Sequence, residues 1–351
     1  MHAGWKTKMT KPNIAIFGAG SIGCYLGGCL LASGADVCFI GRARIQQEIQ
    51  THGLQLSDWR GRAHRVGKNS VRFSLTPELL ADADYIIVTV KSADTVNAAQ
   101  QISAHVKSSA VIVSFQNGIH NAHTLKETLP THTVLKGMVP FNVISAGNGH
   151  FHCGTEGDLA LERQDNSAER LIQALRSAKL PVQTYNDLRG IQWSKLLMNL
   201  NNAVNALSGI PLRDQLYDAQ YRRVMALVVQ EALDIFKAAG IKPLRTGKVV
   251  PTLLPTILRL PNWLFTRIAG ALLKIDPAAR SSIYEDLLLK RKTEIEFLNG
   301  EIVKLAQQLT LSAPLNSTIV ELIKHAENNQ TGSPNMSASA LHQALIQALD
   351  P

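Results

Sequence analysis

The stretch "IAIFGAGSIGCYLGGCLLASGADVCFIGR", residues 14–42, limits the fold of this chain more than any other part of it. It opens with a short, continuously apolar run and places Gly18, Gly20 and Gly23 at G-x-G-x-x-G spacing. An apolar helical pattern follows, then a second apolar run, "DVCFI". A strand that turns sharply into a helix and returns as a second strand is a βαβ unit, whose strands lie parallel under covering helices. Gly18 permits the tight turn and Gly20 lets backbone approach a pyrophosphate. Gly23 allows the helix to pack on the sheet with its N-terminus facing the phosphates. Gly18, Ala19, Gly20, Ser21, Ile22 and Gly23 are therefore the candidate dinucleotide-binding residues. The alternative is a glycine turn without a ligand, and the order of strand, helix and second strand argues against it.

Three more apolar runs, "YIIVTV" (85–90), "AVIVSF" (110–115) and "TVLKGMV" (133–139), are separated by helical spacers, and two weaker ones follow at 158–162 and 181–187. Runs this short and continuous suit strands buried on both faces, so the first half reads as a doubly wound parallel sheet. From about Leu188 the pattern becomes helical: 189–207, 219–240 with Gly240 as a stop, 281–309 and 314–326. The expected plan is an N-terminal tail (1–11), an α/β cofactor domain (12–187) and an all-helical substrate and dimerisation domain (188–345). A chain of 351 residues suits two domains.

Composition narrows the functional classes. Hydrophobic residues are 45% and charged residues 18% of the chain, as in a globular protein. The most apolar patch, "VVPTLLPTILRLPNWLF", is interrupted by Pro251, Pro255, Arg259 and Pro261, so no membrane span and no membrane partner are expected. The N-terminus lacks a signal-like apolar region, Met9 suits a start, and a cytoplasmic location is expected. Cys24, Cys29, Cys38 and Cys153 show neither C-x-x-C spacing nor a disulfide framework and read as reduced, mostly buried thiols. The net charge of +9 fits an anionic cofactor and substrate. The basic residues are scattered without interleaved aromatics, which argues against nucleic acid.

The end of the second strand selects the cofactor. An acid there would hold the 2′-hydroxyl of NAD, whereas the sequence is "FIGRAR", with no acid before Glu48. Arg42, with Arg44 nearby, favours the 2′-phosphate of NADPH; a solvated surface arginine is the alternative. Lys91 in "VTVKSADT" and Asn117 in "SFQNGIH" stand at the ends of later strands, where ligands of an open parallel sheet lie. "QNG" also reads as a plain turn.

In "IQWSKLLMNLNNAVNAL" (191–207) a lysine and several asparagines interrupt an apolar helical pattern. At 100° per residue Asn199 falls about 40° from Lys195 and Asn202 about 20° on the other side, so the three share a face. Asn201 and Asn205 lie further off. An ammonium and two amides on one face could bind a carboxylate and a carbonyl, and a desolvated Lys195 could donate a proton. An exposed polar stripe is the plain alternative.

Taken together the chain resembles the ketopantoate reductase (2-dehydropantoate 2-reductase) family. The glycine loop, Lys91, "QNG" (116–118), "KLLMN" (195–199) and "SSIYEDLLLKRKTEIEFLNG" (281–300) carry the resemblance over nearly the whole chain. The last block is similar to the family's S-S-M-x-x-D…R-x-T-E-I-D-x-L-N-G signature. The resemblance implies a Rossmann-like domain, a 6-phosphogluconate-dehydrogenase-like helical domain, and NADPH-dependent reduction of a 2-oxo acid, ketopantoate to pantoate. It makes Lys195 the general acid, and assigns Asn117, Asn199, Asn202 and Ser282 to the substrate. Asn117 and Glu294 go to the cofactor ribose and Lys91 to the nicotinamide end. No metal is implied.

The chain departs from the family at several positions. The second family Asn falls at Ala203, with Asn202 the nearest candidate, and a later Asn is replaced by Leu212. Ile283 stands for Met and Lys290 for Gly, and 241–280 is extra length rich in Pro and Leu. Leu212 admits a more apolar 2-oxo acid. In one continuous helix Ser282 and Glu294 would lie about 18 Å apart. Capping-box patterns at Ser282/Glu285 and Thr293/Glu296 predict instead two helices broken near 290–292. Ser282 also reads as an N-cap alone, and Glu294 as a surface acid paired with Lys290 or Arg291. "GHFHCG" puts His150 and His152 on one strand face near Cys153, without a fourth metal ligand. A non-catalytic NADPH sensor is a competing reading, although such a protein would be expected to lose Lys195. The apolar helices of the second half suit a homodimer.

Overall fold

A computed structural model describes residues 11–245, 250–270 and 279–349. The tail expected at 1–11, including Met9, lies outside the described residues except for Lys11, as do 246–249 and 271–278 of the long segment. The chain divides into two compact units, 1–116 with 120–188, and 117–119 with 189–351.

Among the described residues the first unit contains twelve strands: β1 (Asn13–Phe17), β2 (Asp36–Ile40), β3 (Leu54–Asp58), β4 (Ala63–Val66), β5 (Arg72–Ser74), β6 (Tyr85–Val88), β7 (Val111–Ser114), β8 (Thr133–Met138), β9 (Val143–Gly147), β10 (His150–Cys153), β11 (Leu159–Glu162) and β12 (Val182–Tyr185). Eight of them form one sheet in the order β12-β11-β8-β7-β6-β1-β2-β5, parallel except where β11 meets β8. Its helices are α1 (Ser21–Ala32), α2 (Ala43–His52), α3 (Thr95–His105), α4 (Asn121–Thr128) and α5 (Glu169–Ser177). Successive residues of β1 enter different cores. Ile14 and Ile16 pack with Leu26 and Leu30 of α1. Ala15 and Phe17 pack with Ala98 and Ile102 of α3. Burial on both faces is why these strands read as continuous apolar runs.

A second sheet, ordered β4-β3-β10-β9, was not anticipated from the sequence. None of its strands is a continuous apolar run: β3 alternates, with Leu54 and Leu56 buried while Gln55 and Ser57 are not, and β4 and β9 are mostly exposed, patterns too short to separate from loop. All four cysteines are free and buried.

The second unit is helical: α6 (Arg189–Asn199), α7 (Asn201–Ser208), α8 (Leu212–Tyr217), α9 (Ala219–Ala238), α10 (Leu254–Leu258), α11 (Asn262–Ala269), α12 (Ser282–Leu288), α13 (Asn299–Gln308), α14 (Pro314–Asn329) and α15 (Ala338–Gln347). The pattern over 189–207 is therefore two helices joined at Leu200, which keeps helical dihedrals (φ −56°, ψ −29°). Leu196, Leu197, Leu200 and Val204 face the core of this unit. The helix expected from 281 to 309 is broken near the expected 290–292, although α13 begins only at Asn299, and the break needs no glycine: Lys290 itself takes the left-handed conformation (φ 53°). The N–H groups of Lys290 and Arg291 donate to Leu287 and Asp286 carbonyls and close α12. Among the described residues no helix is long and apolar enough to cross a membrane.

Candidate functional site

In the first unit the sheet order reverses direction beside β1, between β2 and β6, and the loops at the carboxyl ends of these strands gather there. Gly18 has φ 104°, and a Cβ on it would stand 2.7 Å from the Val90 nitrogen. A Cβ on Gly23 would meet the Gly18 carbonyl at 2.5 Å and Thr89 Oγ1 at 2.6 Å. These two positions need glycine for packing. Gly20 is different: a Cβ there meets no atom within 4 Å, so its lack of a side chain is not explained by its protein neighbours. Gly18 and Ala19 donate backbone N–H bonds to Ile40 O at 3.0 and 2.9 Å, which ties the turn to the end of β2. No side chain caps the N-terminus of α1 at Gly20, and Ser21, Ile22 and Gly23 form its first turn. This cradle fits a dinucleotide pyrophosphate.

Arg42 follows β2 after Gly41 and is the N-cap residue of α2. Its side chain is 82% exposed, with Nη2 3.6 Å from Asp94 Oδ2. Arg44, proposed as its helper, is ion-paired with Glu48 one turn along α2. Lys91 lies at the end of β6 and precedes a short 3-10 turn, Ser92–Asp94.

A buried polar network fixes these strand-end loops. Gln116 Nε2 donates to Val90 O (3.2 Å) and Thr95 Oγ1 (2.8 Å), and Ser114 Oγ donates to Gln116 Oε1 (3.0 Å). Thr95 Oγ1 donates to Asn121 Oδ1 (2.9 Å), whose Nδ2 donates to Ser92 Oγ (3.0 Å). Satisfied networks of this kind rigidify a loop, because breaking one bond strands a buried partner. In "QNG" it is thus Gln116, a residue the sequence does not single out, that organises the loop. The available signal was polar Ser, Gln, Thr and Asn beside apolar strand ends.

In the second unit Lys195 is half-buried on α6. Desolvation pushes its ammonium down from 10.5 to about 8, and the nearby Glu294 carboxylate pulls the other way. Glu294 Oε2 also accepts from Asn117 Nδ2 at 3.4 Å, so Lys195, Glu294 and Asn117 belong to one cluster. The reading of Glu294 as merely a surface acid beside Lys290 or Arg291 is corrected accordingly: the acid is half-buried and faces Asn117 and Lys195.

The neighbouring amides sort into two groups. Asn202 Nδ2 lies 3.5 Å from Ser282 Oγ, and Asn199 is half-buried at the end of α6. Asn201 and Asn205 face elsewhere: Asn205 Nδ2 donates to Gln215 Oε1 (3.0 Å) and Ile210 O (3.0 Å), and Gln215 Nε2 donates to Asn201 Oδ1 (2.9 Å). Asn205 Oδ1 accepts from the Ser281 N–H at 2.9 Å, which anchors the start of α12 to α7.

Ser281, not Ser282, is the N-cap of α12. Its Oγ accepts from the Tyr284 N–H at 3.2 Å and donates to Asn202 O at 2.7 Å. The expected Ser282/Glu285 capping box is thus out of register by one residue, which frees the Ser282 hydroxyl from capping and turns it toward Asn202. The second box is also replaced. Thr293 N–H and Oγ1 both donate to Glu327 Oε1 (2.8 and 2.5 Å), while Glu296 pairs with Lys324. A carboxylate from α14 outcompetes the local one.

On β10, His150 Nε2 and His152 Nδ1 each lie 2.7 Å from Ser57 Oγ, and Cys153 is buried on the opposite face. Among the described residues no group of three or more His, Cys, Asp or Glu is placed to hold a metal.

Both the sequence and the fold match known proteins. The ketopantoate reductase PanE/ApbA family model matches residues 14–166 and its C-terminal model residues 187–327. A 2-dehydropantoate 2-reductase of Archaeoglobus fulgidus is 25% identical over 91% of this chain and 99% of its own. A PanE/ApbA family ketopantoate reductase from Ralstonia eutropha JMP134 superposes with a TM-score of 0.77 at 31% identity, covering 91% of this chain and 99% of that one. A D-mandelate dehydrogenase structure with NADH and anilino(oxo)acetate shares the fold, with a TM-score of 0.73 at 21% identity over 91% of this chain and 99% of that one. With both family models matched across most of its length, this chain belongs to the ketopantoate reductase family and is an oxidoreductase.

Proposed function

We propose that the protein is a cytoplasmic, NADPH-dependent 2-oxo acid reductase, and that its substrate is 2-dehydropantoate, reduced to (R)-pantoate on the route to coenzyme A. The observation that carries this is Lys195, whose lowered pKa of about 8 leaves it protonated at neutral pH yet ready to give its proton up. NADPH supplies the hydride; everything else is the task of the chain. Gly18, Ala19, Gly20, Ser21, Ile22 and Gly23 would take the pyrophosphate on backbone N–H groups. Arg42 would take the 2′-phosphate, exchanging its exposed ion pair with Asp94 for it, and β2 ends without the acid that would hold a 2′-hydroxyl. Lys91, Asn117 and Glu294 would hold the nicotinamide ribose end.

Lys195 protonates the ketone oxygen as charge develops there. An ammonium placed at that oxygen stabilises the transition state more than the ground state. Asn199, Asn202 and Ser282 orient the carboxylate and hydroxyl end of the substrate. Glu294 keeps Lys195 charged in a desolvated setting, since its carboxylate opposes the shift that burial imposes. A panel of 2-oxo acids, each followed by loss of reduced-nicotinamide absorbance with NADPH and with NADH, tests the reading. Turnover of 2-dehydropantoate well above the other acids supports it, and absence of that turnover refutes it.

A second reading keeps fold and cofactor and changes the acid. Leu212 stands where the family has an Asn, and its N–H is bonded to Ala279 O at 3.0 Å, next to the Ser281–Ser282 turn. An apolar group there suits a bulkier, more apolar 2-oxo acid; the D-mandelate dehydrogenase that shares the fold was solved with NADH and anilino(oxo)acetate. The same panel separates the two.

A further inference from the structure

The net charge of the chain is concentrated by a lack of acids. Residues 235–275 contain seven Lys or Arg and no Asp or Glu, so seven of the nine excess positive charges belong to that stretch. Its described parts turn large apolar side chains outward: Trp263 is 70% exposed, Ile268 54% and Leu253 52%. At 100° per residue, Trp263, Leu264, Arg267 and Ile268 of α11 fall within about 140° of one another. Phe265 and Ala269 are buried on the other side. The outward face of α11 is therefore aromatic, aliphatic and basic, the reverse of an ordinary solvated helix face.

This face is held in place. Arg222 of α9 is fully buried and donates from Nε to Leu258 O (3.1 Å) and from Nη2 to Leu260 O and Asn262 Oδ1 (both 2.8 Å). Its guanidinium lies 4.2 Å from the Phe265 ring centroid. Residues on both sides of Pro261 are thus fastened to α9 by one side chain. The exposure of Trp263 and Ile268 belongs to a built surface.

We propose that this face docks the protein peripherally on a bilayer surface rich in anionic lipid. A Trp sits well at headgroup depth, aliphatic side chains enter the acyl boundary beside it, and basic residues meet the negative surface potential. Charge disfavours a second copy of the chain as the occupant, because two acid-free basic stretches would be brought together. Nucleic acid is disfavoured by the aliphatic character of the face, which offers one stacking ring. No described helix is long and apolar enough to cross a membrane, so the proposed contact is superficial, and it departs from the expectation of no membrane partner.

The test is flotation of the full-length protein with vesicles of phosphatidylcholine alone, and of phosphatidylcholine with phosphatidylglycerol in a two-to-one ratio. Binding is expected to the mixed vesicles only and to be released by high salt. Arg259→Gln with Arg267→Gln should weaken it about 25-fold, at about fivefold per basic residue near an anionic surface. Trp263→Ser with Ile268→Ser should weaken it about tenfold or more through lost apolar insertion. All four side chains are exposed, and circular dichroism and reductase turnover without vesicles should match the parent. Failure of the parent to float with mixed vesicles overturns the proposal, and so does unchanged flotation of both double variants. Conversion of a dimer to monomers by the Trp263/Ile268 variant, without change in flotation, would mark the face as a self-interface and equally overturn it.

Discussion

Replacing Lys195 by Met should stabilise the protein while abolishing its chemistry. Burial lowers the ammonium from 10.5 to about 8, and at about 1.36 kcal/mol for each factor of ten this is about 3 kcal/mol that the folded state loses by keeping the charge. The folded pKa lies below the unfolded one, so below about pH 8 both states carry the proton and the penalty is complete. Between pH 8 and 10.5 the unfolded chain binds more protons, stability rises, and the penalty fades. Methionine matches the lysine side chain out to Cε and lacks the ammonium. Lys195→Met should therefore exceed the parent by up to about 3 kcal/mol at pH 7, less whatever Glu294 loses with its partner, and the gap should close as pH approaches 10.5. Urea melts of both proteins across that range measure it, and comparing the two cancels other titrations. Turnover should drop by about 10²–10⁴, the usual worth of a general acid, and parent kcat/KM should fall above about pH 8 as Lys195 loses its proton. A Met variant less stable than the parent at pH 7, or a gap independent of pH, refutes the account of Lys195 as a desolvated acid.

The glycine loop offers a contrast between two conservative changes. Gly20→Ala should fold with parent-like stability, since a Cβ there meets nothing within 4 Å, yet weaken NADPH binding measured by fluorescence titration. Gly23→Ala should cost about 1–3 kcal/mol in a urea melt through overpacking against the Gly18 carbonyl at 2.5 Å. Arg42→Asp should lower kcat/KM for NADPH about 10–100-fold, the value of a charge-assisted phosphate contact, and shift preference toward NADH. Lys290→Gly should raise stability by about 0.5–1 kcal/mol, because Lys290 holds φ 53° without glycine's freedom.

The sequence disclosed these elements unequally, for physical reasons. Strands buried on both faces leave continuous apolar runs, so the large sheet and the Gly18–Gly23 turn were legible. The second sheet was hidden by short alternating strands such as β3. The stripe of Lys195, Asn199 and Asn202 could be separated from Asn201 and Asn205 by helical angle alone, and the bonds of Asn201 and Asn205 to Gln215 agree with that separation. Long-range competition was illegible. Which of two adjacent serines caps α12 is decided by Asn205 and Asn202 on another helix, and which carboxylate binds Thr293 by Glu327 on α14.

The capping register has a consequence for the chemistry. A serine that caps a helix spends its oxygen on a backbone N–H, and a serine one residue further on does not. With Ser281 anchored by Asn205 Oδ1 and capping Tyr284, Ser282 can present its hydroxyl beside Asn202 without weakening α12. The amides of α7 therefore divide the labour: buried Asn205, satisfied through Gln215 and Ser281, holds two helices in register, and that register leaves the Ser282 hydroxyl beside Asn202 without a capping bond, as the substrate role proposed for both requires.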